Sequence, residues 1–454
     1  MLQNLQGFTG TDAGAALQQG MGKWAGWLAH LSGEEGQIAA HQLEQSLSKG
    51  VEGMAAAVTD SAQELVGSEA MPDAFLSYSD TASVIDGLGR VADLSAYLTD
   101  GELAQYVDSF IEEGDINGDG SLKVFPVGKS TETLQINMTD FQTFADATGT
   151  SLDEMSTIEG IVRVAERYYE WTDAQTPGVM GDGRPFFGRD AMANYLITGS
   201  KQLGHEIFEI ENGVCALNFD RATMKTLWDN YYVPMVQGWF SAEGKFRSDA
   251  VKTGDLICYV GSSSSVVYFP QTVTVDDATS YPIQLGALPN PSFEHGKPCS
   301  PQQGAGFVVT KSDEKKETAC VEFLKWFTAK EQNTDFSVSA GYVPVTKDAL
   351  TLENLQAAAE SIDGASGNYL VNLPATLDTI EAGVYANPPF KGGVEARAVL
   401  DRALSDRAVA DRAAVVEAMA AGASSEEAVA PYLDDAGFDA WLADLETQLR
   451  EAIA

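Results

Sequence analysis

The chain has 454 residues, 44% of them apolar, with 66 acidic against 28 basic side chains and a formal net charge of −38. Such a surface repels a phosphate backbone or an anionic membrane, which excludes nucleic-acid binding. No run approaches the roughly 18 consecutive apolar residues of a spanning helix, and the apolar content is too high for the acidity to mean disorder; the length suffices for two or three domains.

The first 70 residues are rich in Ala, Gln and Gly and read as mostly helical, with Ile38 to Leu43 at most a weak strand. Met1 to Gln6 carries no basic or apolar leader pattern and no lipid-attachment cysteine, so either the protein is cytoplasmic or a leader precedes this sequence. Beyond residue 70, short apolar runs alternate with helical stretches, which predicts α/β architecture. The predicted strands are Ala74 to Leu76, Leu122 to Val127, Thr133 to Asn137, Leu256 to Val260, Ile283 to Leu285 and Gly306 to Thr310. Thr139 is the predicted N-cap of a helix over Phe141 to Ala147, and Ser156 or Thr157 caps a second helix whose apolar face runs through Val162, Val164, Ala165, Tyr168 and Tyr169. Lys311-Ser312-Asp313-Glu314 opens a helix over Thr318 to Phe327, and Gly341 stops the next one. From Gly393 to Ala454 the pattern is purely helical. Asp-Arg-Ala recurs there at 401, 406 and 411, a step of five that rotates by about 140° and forms no single stripe, so these residues read as a solvated surface.

Motifs for chemistry are sparse. Cys215, Cys258, Cys299 and Cys320 have neither CxxC nor metal spacing, and Cys258 and Cys320 read as buried thiols. Asp115-Ile116-Asn117-Gly118-Asp119-Gly120 matches the first half of a calcium loop, but its twelfth position falls on Pro126, which cannot ligate; a tight turn explains the same residues. Four histidines without HExxH spacing, and no GxSxG serine, leave hydrolysis unsupported. No phosphate-cradling glycine motif follows a predicted strand. No cofactor and no metal are expected.

Polar loops instead recur at strand ends and helix starts: Thr9 to Asp12, Ser77 to Thr81, Lys129 to Glu132, Phe186 to Asp190, Gly261 to Ser265, Pro301 to Gly304 and Asn387 to Lys391. In open α/β sheets ligands bind beyond strand ends, and amides, hydroxyls and carboxylates with Tyr and Phe rings suit a neutral polyhydroxylated ligand.

At these loops the sequence resembles the extracellular solute-binding proteins of bacterial ABC importers, in their carbohydrate-binding, maltose-binding-protein-like group. The matching stretches are Met71 to Thr81, Phe125 to Glu132 leading into Asn137-Met138-Thr139-Asp140, Phe187 to Tyr195, Lys252 to Gly261, Gln302 to Gly306, Val321 to Phe327 and Ser339 to Val345. The resemblance implies a type II periplasmic-binding-protein-like α/β fold. The first lobe would hold 1–132 and 304–350, and the second 136–300 and 351–454 with the C-terminal helices. The segments near Ser130 to Gln135 and Ser300 to Gln303 would be hinges.

By position, the resemblance assigns ligand contacts to Thr11, in a loop after a shortened strand over Leu2 to Phe8, and to Tyr78, Asp80, Thr131 and Glu132. On the second lobe it assigns Phe187, Arg189, Asp190, Ser262 and Ser263, with Gln303, Tyr342 and Phe390 completing the set. Relatives often place Trp where Ser262 and Ser263 stand, so Phe390 is the expected replacement ring. The implied function is capture of a sugar or oligosaccharide and delivery to a permease by a monomeric, non-catalytic protein outside the cytoplasm, tethered by a lipid anchor not present in this chain. A polyamine is the alternative ligand, which Arg189 argues against. A carbohydrate-active enzyme and a surface adhesion protein are the other classes.

Overall fold

The computed structural model describes residues 51–179, 181–211, 214–244, 246–276, 278–362 and 367–454; Thr11 and the elements predicted over Leu2 to Phe8, Thr9 to Asp12 and Ile38 to Leu43 lie outside them. The described chain is organised around two sheets. In the first, strand Gly306–Val309 pairs antiparallel with Ala74–Ser77 on one side and with Phe125–Pro126 on the other. Its central strand thus comes from a distant part of the chain, beyond all the strands of the second sheet, which obliges the backbone to leave and return. In the second sheet the order is Leu285–Pro289, Glu132–Asn137, Cys258–Ser262, Phe187–Arg189; the first two pairings are antiparallel and the last is parallel.

All six residues of Glu132–Asn137 are buried, as befits a strand covered on both faces. The strand predicted over Leu122 to Val127 contracts to Phe125–Pro126 because the backbone N–H groups of Lys123 and Val124 both turn to the carbonyl of Gly114, and Pro126 has no N–H to offer. The strand predicted over Ile283 to Leu285 runs instead over Leu285–Pro289. Phe187–Arg189, expected to be loop, is a buried strand; its central Gly and terminal Arg hide the apolar pattern.

Asn137, rather than Thr139, caps helix Met138–Thr148, its side chain accepting from Asp140 N at 3.2 Å. Thr139 Oγ1 accepts from Gln284 N at 3.1 Å. Thr157 caps Ile158–Asp173 and Asp313 caps Glu314–Phe327. Helix Lys330–Ala340 ends at Gly341 in the left-handed conformation.

The first sheet's core gathers Leu94, Phe125, Phe307, Val309 and Leu324. The second is larger and joins Leu134, Ile136, Phe144 and Val260 to Leu400, Phe438, Trp441 and Leu445 of the C-terminal helices. The Asp-Arg-Ala repeats are not merely solvated: Asp401 accepts from Ala193 N at 2.8 Å, at the start of helix Met192–Gln202. Tyr232 donates to Asp411 at 2.5 Å, and Arg412 donates to the Val236 carbonyl at 3.1 Å. The bonds of Asp401 and Arg412 satisfy helix-end groups that would otherwise lack partners.

The two sheets are joined where crossing segments pair. Ser130 and Gln303 exchange backbone hydrogen bonds at 3.0 and 2.8 Å, and Lys129 does the same with Val343. Helix Gly367–Ala382 reaches the second sheet, with Asn372 accepting from Thr133 Oγ1 at 2.8 Å. Leu355 and Ala359 of helix Leu352–Ser361 share a core with Val338, Tyr369 and Leu373.

Cys258 and Cys299 are buried, Cys215 and Cys320 partly so, and all four are free thiols. Among the described residues no helix is long and apolar enough to cross a membrane.

Candidate functional site

A cavity of about 1080 Å³ opens where the loops of the two sheets face each other. The chain after strand Ala74–Ser77 supplies Tyr78 and Asp80. Glu132 enters at the first residue of its strand, Asp190 directly after Phe187–Arg189, and Ser262 at the end of Cys258–Ser262. Gln303, Tyr342 and Phe390 complete the predicted residues that line it. This is the position beyond strand ends where side chains and free helix N–H groups converge.

Four predicted residues stand behind this wall: Thr131, Ser263, Phe187 and Arg189. Thr131 is fully buried; its N–H donates to Ser263 Oγ at 3.1 Å, Ser263 N donates back to the Thr131 carbonyl at 2.8 Å, and Thr131 Oγ1 has no partner among the described residues. Phe187 packs in the core with its ring 4.7 Å from that of Phe240. Arg189 is buried over the Tyr195 ring at 5.1 Å. Thr11 lies outside the described residues.

Three carboxylates in the wall have a cation behind them. Glu132 accepts from Arg189 Nη1 at 3.2 Å through Oε2 and from Asn194 Nδ2 at 2.6 Å through Oε1. Asp190 Oδ1 accepts from the backbone N–H of Arg247 at 2.9 Å, with Arg247 Nε at 3.7 Å. Glu113 accepts from Lys129 Nζ at 2.7 Å. A fourth, Asp80, faces the N-terminus of helix Gly393–Ala403: its Oδ1 would lie 3.0 Å from any Cβ placed on Gly393. Burial pushes the Asp80 carboxyl above its usual range, with Arg397 opposing. Burial likewise raises Glu132 against the pull of Arg189, and raises Asp190 against its bonds to Arg247.

Between these charges lie neutral groups. Ser262 and Ser264 hydroxyls are 2.9 Å apart, and Gln303 Oε1 is buried without a partner among the described residues. Tyr342 lies parallel to Phe336 at 6.2 Å with an interplanar angle of 7°, and Phe390 packs on Phe208 at 4.9 Å. Burial drives the Tyr342 hydroxyl far above its ordinary pKa, so it remains a neutral donor and acceptor.

Sequence reasoning missed Arg397, Asn194, Phe336 and Glu113, all of which line the cavity. Arg397 donates to Asn194 Oδ1, extending the chain of bonds that begins at Arg189 and Glu132. The Gly392-Gly393 pair shortly after Phe390 was the available signal, since it starts the helix that carries Arg397.

In the loop over Asp115 to Gly120, Asp115 accepts from the N–H groups of Asp119 and Gly120 at 3.1 and 2.9 Å, and Asp119 from Ser121 N at 3.0 Å. These are turn bonds. Among the described residues no group of three or more His, Cys, Asp or Glu side chains could hold a metal ion.

The family model for bacterial extracellular solute-binding protein matches residues 46–361. Among solved structures, the cyclic alpha-maltosyl-1,6-maltose binding protein of Arthrobacter globiformis superposes with a TM-score of 0.60 at 17% identity, over 87% of each chain. UgpB of Mycobacterium tuberculosis, in complex with glycerophosphocholine, gives 0.58 at 18%, over 87% of this chain and 89% of its own. The maltose/maltodextrin-binding domain MalE of Bdellovibrio bacteriovorus, bound to maltotriose, gives 0.56 at 14%, over 91% and 96%. At these identities the likeness is one of fold, the two-lobe α/β architecture. No curated protein sequence matches the chain.

Proposed function

We propose that this chain, which belongs to the bacterial extracellular solute-binding protein family, captures a neutral oligosaccharide between its lobes and hands it to the permease of an ABC importer. The carrying observation is the pairing of Glu132, Asp190 and Glu113 with Arg189, Arg247 and Lys129 behind the cavity wall. A carboxylate so backed keeps free lone pairs for a ligand hydroxyl, while much of its attraction for an extra cation is already satisfied. A polyamine gains little from such a wall. For an anionic ligand the cations behind the wall are likewise engaged, and Lys252 and Arg397 of the described lining are set against Asp80 and Asp249, which disfavours a phosphodiester of the kind bound by UgpB.

Size and shape favour several sugar rings over one. About 1080 Å³ stands at the upper end of the roughly 300–1,000 Å³ usual for small-molecule sites, and Tyr342, Phe336 and Phe390 supply faces for apolar sugar surfaces. The lobes we assign are 1–132 with 304–350 and 136–300 with 351–454, hinged at the paired crossings. All thirteen residues of the sequence expectation remain our candidate set; Thr131, Phe187, Arg189 and Ser263 act from behind the wall. The family places its members outside the cytoplasm; a lipid tether and a monomeric receptor docking on the permease are part of the same proposal.

Calorimetry with maltotriose, spermidine and glycerophosphocholine tests the reading. Binding of maltotriose alone is the expected result, and a response confined to spermidine or glycerophosphocholine overturns it. Release of shorter sugars on prolonged incubation would point to an enzyme instead.

A further inference from the structure

One carboxylate oxygen gathers both crossing segments. Glu113 follows helix Asp108–Glu112, whose Phe110 is buried in the first sheet's core with Phe125 and Phe307. Its Oε2 accepts from Nζ of Lys129, on the segment that leads into strand Glu132–Asn137, and from Nε2 of Gln302, on the segment that returns from Ser300–Pro301. Lys129 Nζ also donates to the Gly304 carbonyl at 3.2 Å, and Gln302 Nε2 to the Ser109 carbonyl at 3.0 Å. Lys129 is 2% exposed and Glu113 14%, so these charge-assisted bonds are shielded from water.

The approach is close enough to need glycine. Gly304 has φ +111°, and a Cβ there would stand 2.4 Å from the Gly128 carbonyl oxygen. Just beyond the tie, the crossings are bonded to other elements: Thr131 to Ser263, and Ser300 N to the Gly383 carbonyl at 3.0 Å. Pro301 is itself paired with Tyr385, whose carbonyl accepts from Gln302 N at 2.8 Å, so the paired Ser130 and Gln303 are the backbone left between the tie and these bonds to absorb rotation.

We propose that Glu113 is a positioning residue for lobe closure, fixing the first-lobe ends of both crossings so that rotation is confined to the paired residues Ser130 and Gln303. Because Glu113 also lines the cavity, a ligand that reaches it acts on the group that holds the hinge. This consequence rests on the closing-receptor reading, whereas the tie itself is testable on the free protein.

The experiment is hydrogen exchange by NMR on the ligand-free chain, its Glu113→Gln variant and its Gln302→Leu variant, with small-angle scattering on each. In Glu113→Gln the amides of Lys129, Ser130 and Gln303 exchange faster by about tenfold or more, because a charged acceptor is lost. The strands 132–137 and 306–309 keep their rates, and the scattering radius widens. Gln302→Leu, which severs one tie, accelerates Gln303 and leaves Lys129 unchanged. Unchanged crossing amides in Glu113→Gln overturn the proposal, as does acceleration spread equally through both sheets. Failure of wild-type protein to bind maltotriose would sink the sugar reading without touching this pattern; a uniform pattern with intact maltotriose binding would sink the hinge role alone.

Discussion

Glu132 Oε2 lies 3.2 Å from Nη1 of Arg189, with side chains 1% and 4% exposed. Two charges this deep are held by each other and by Asn194, and removing one leaves the other without compensation. Arg189→Met is therefore expected to destabilise the fold by about 3–5 kcal/mol, while the double variant with Glu132→Gln recovers much of the loss. Urea unfolding of wild type and both variants checks this; a double variant no better than Arg189→Met would show that the charge pairing is not what the pair contributes.

Asp80 differs from the other cavity acids: no hydrogen bond from the described residues occupies it, and it lies against Gly393, at the start of the helix that carries Arg397. A sugar hydroxyl donating to it gains a charged acceptor. Asp80→Ala should weaken maltotriose binding by about 1–3 kcal/mol. Asp406→Ala serves as the control: the residue is exposed on helix Ser405–Ala420 and does not line the cavity, so affinity should stay within error. Titration calorimetry separates the two, and equal losses in both would dislodge Asp80 from the site.

How much of this was legible in the sequence depends on what each residue has to reveal locally. Thr133 to Asn137 reads as a strand because apolar Leu134 and Ile136 alternate with Thr133, Gln135 and Asn137. Asp80 was legible as a polar residue just past a short apolar run. Phe187 to Arg189 was not legible as a strand, because the partner that neutralises Arg189 comes from residue 132, far away in the chain. Arg397 was hidden for a similar reason: Gly392-Gly393 marks where its helix starts, but nothing local distinguishes Arg397 from Arg402 as the guanidinium that turns to Asn194. The tie at Glu113 needs three segments brought together, a relationship that spacing alone does not encode.

Acidification should separate binding from folding. Asp80, Glu132 and Asp190 all have carboxyls raised by burial. Such a group binds its proton more tightly when folded, so its contribution to stability is fully present below the unfolded value, 3.8 for Asp and 4.5 for Glu, and is lost as pH rises through the raised value. Glu102, lowered to about 2 by its bonds to Lys325 and Thr99, acts in the opposite sense, its contribution being present above 4.5 and lost as pH falls towards 2. Between neutrality and the ordinary carboxylate range, protonation of Asp80 removes a ligand acceptor while favouring the fold. Maltotriose affinity is expected to fall across that window without a fall in Tm, and Asp80→Asn should flatten the affinity curve. Calorimetric titrations paired with scanning calorimetry over the same pH series check this, and parallel loss of both would contradict it.

Tyr342 offers the cavity an aromatic face held in place from behind. Its ring is parallel to Phe336 at 6.2 Å, its backbone carbonyl accepts from Tyr369 at 3.1 Å, and its N–H donates to the Ser337 carbonyl at 2.8 Å. The backbone that carries the ring therefore cannot shift without breaking the end of helix Lys330–Ala340. If its face is what a sugar ring packs against, Tyr342→Phe retains the contact and changes maltotriose affinity by less than about 1 kcal/mol, the worth of one neutral hydroxyl bond. Tyr342→Ala removes the face and the stacking on Phe336, and is expected to weaken binding by about 1–3 kcal/mol. Replacing Phe390 by Ala supplies the comparison, since its ring rests on Phe208 in the second sheet's core. Titrations of the three variants decide whether the sugar spans both faces: loss only in Tyr342→Ala places it on the Tyr342 side, loss in both alanine variants requires an extended ligand, and loss in neither rejects stacking as a source of affinity here.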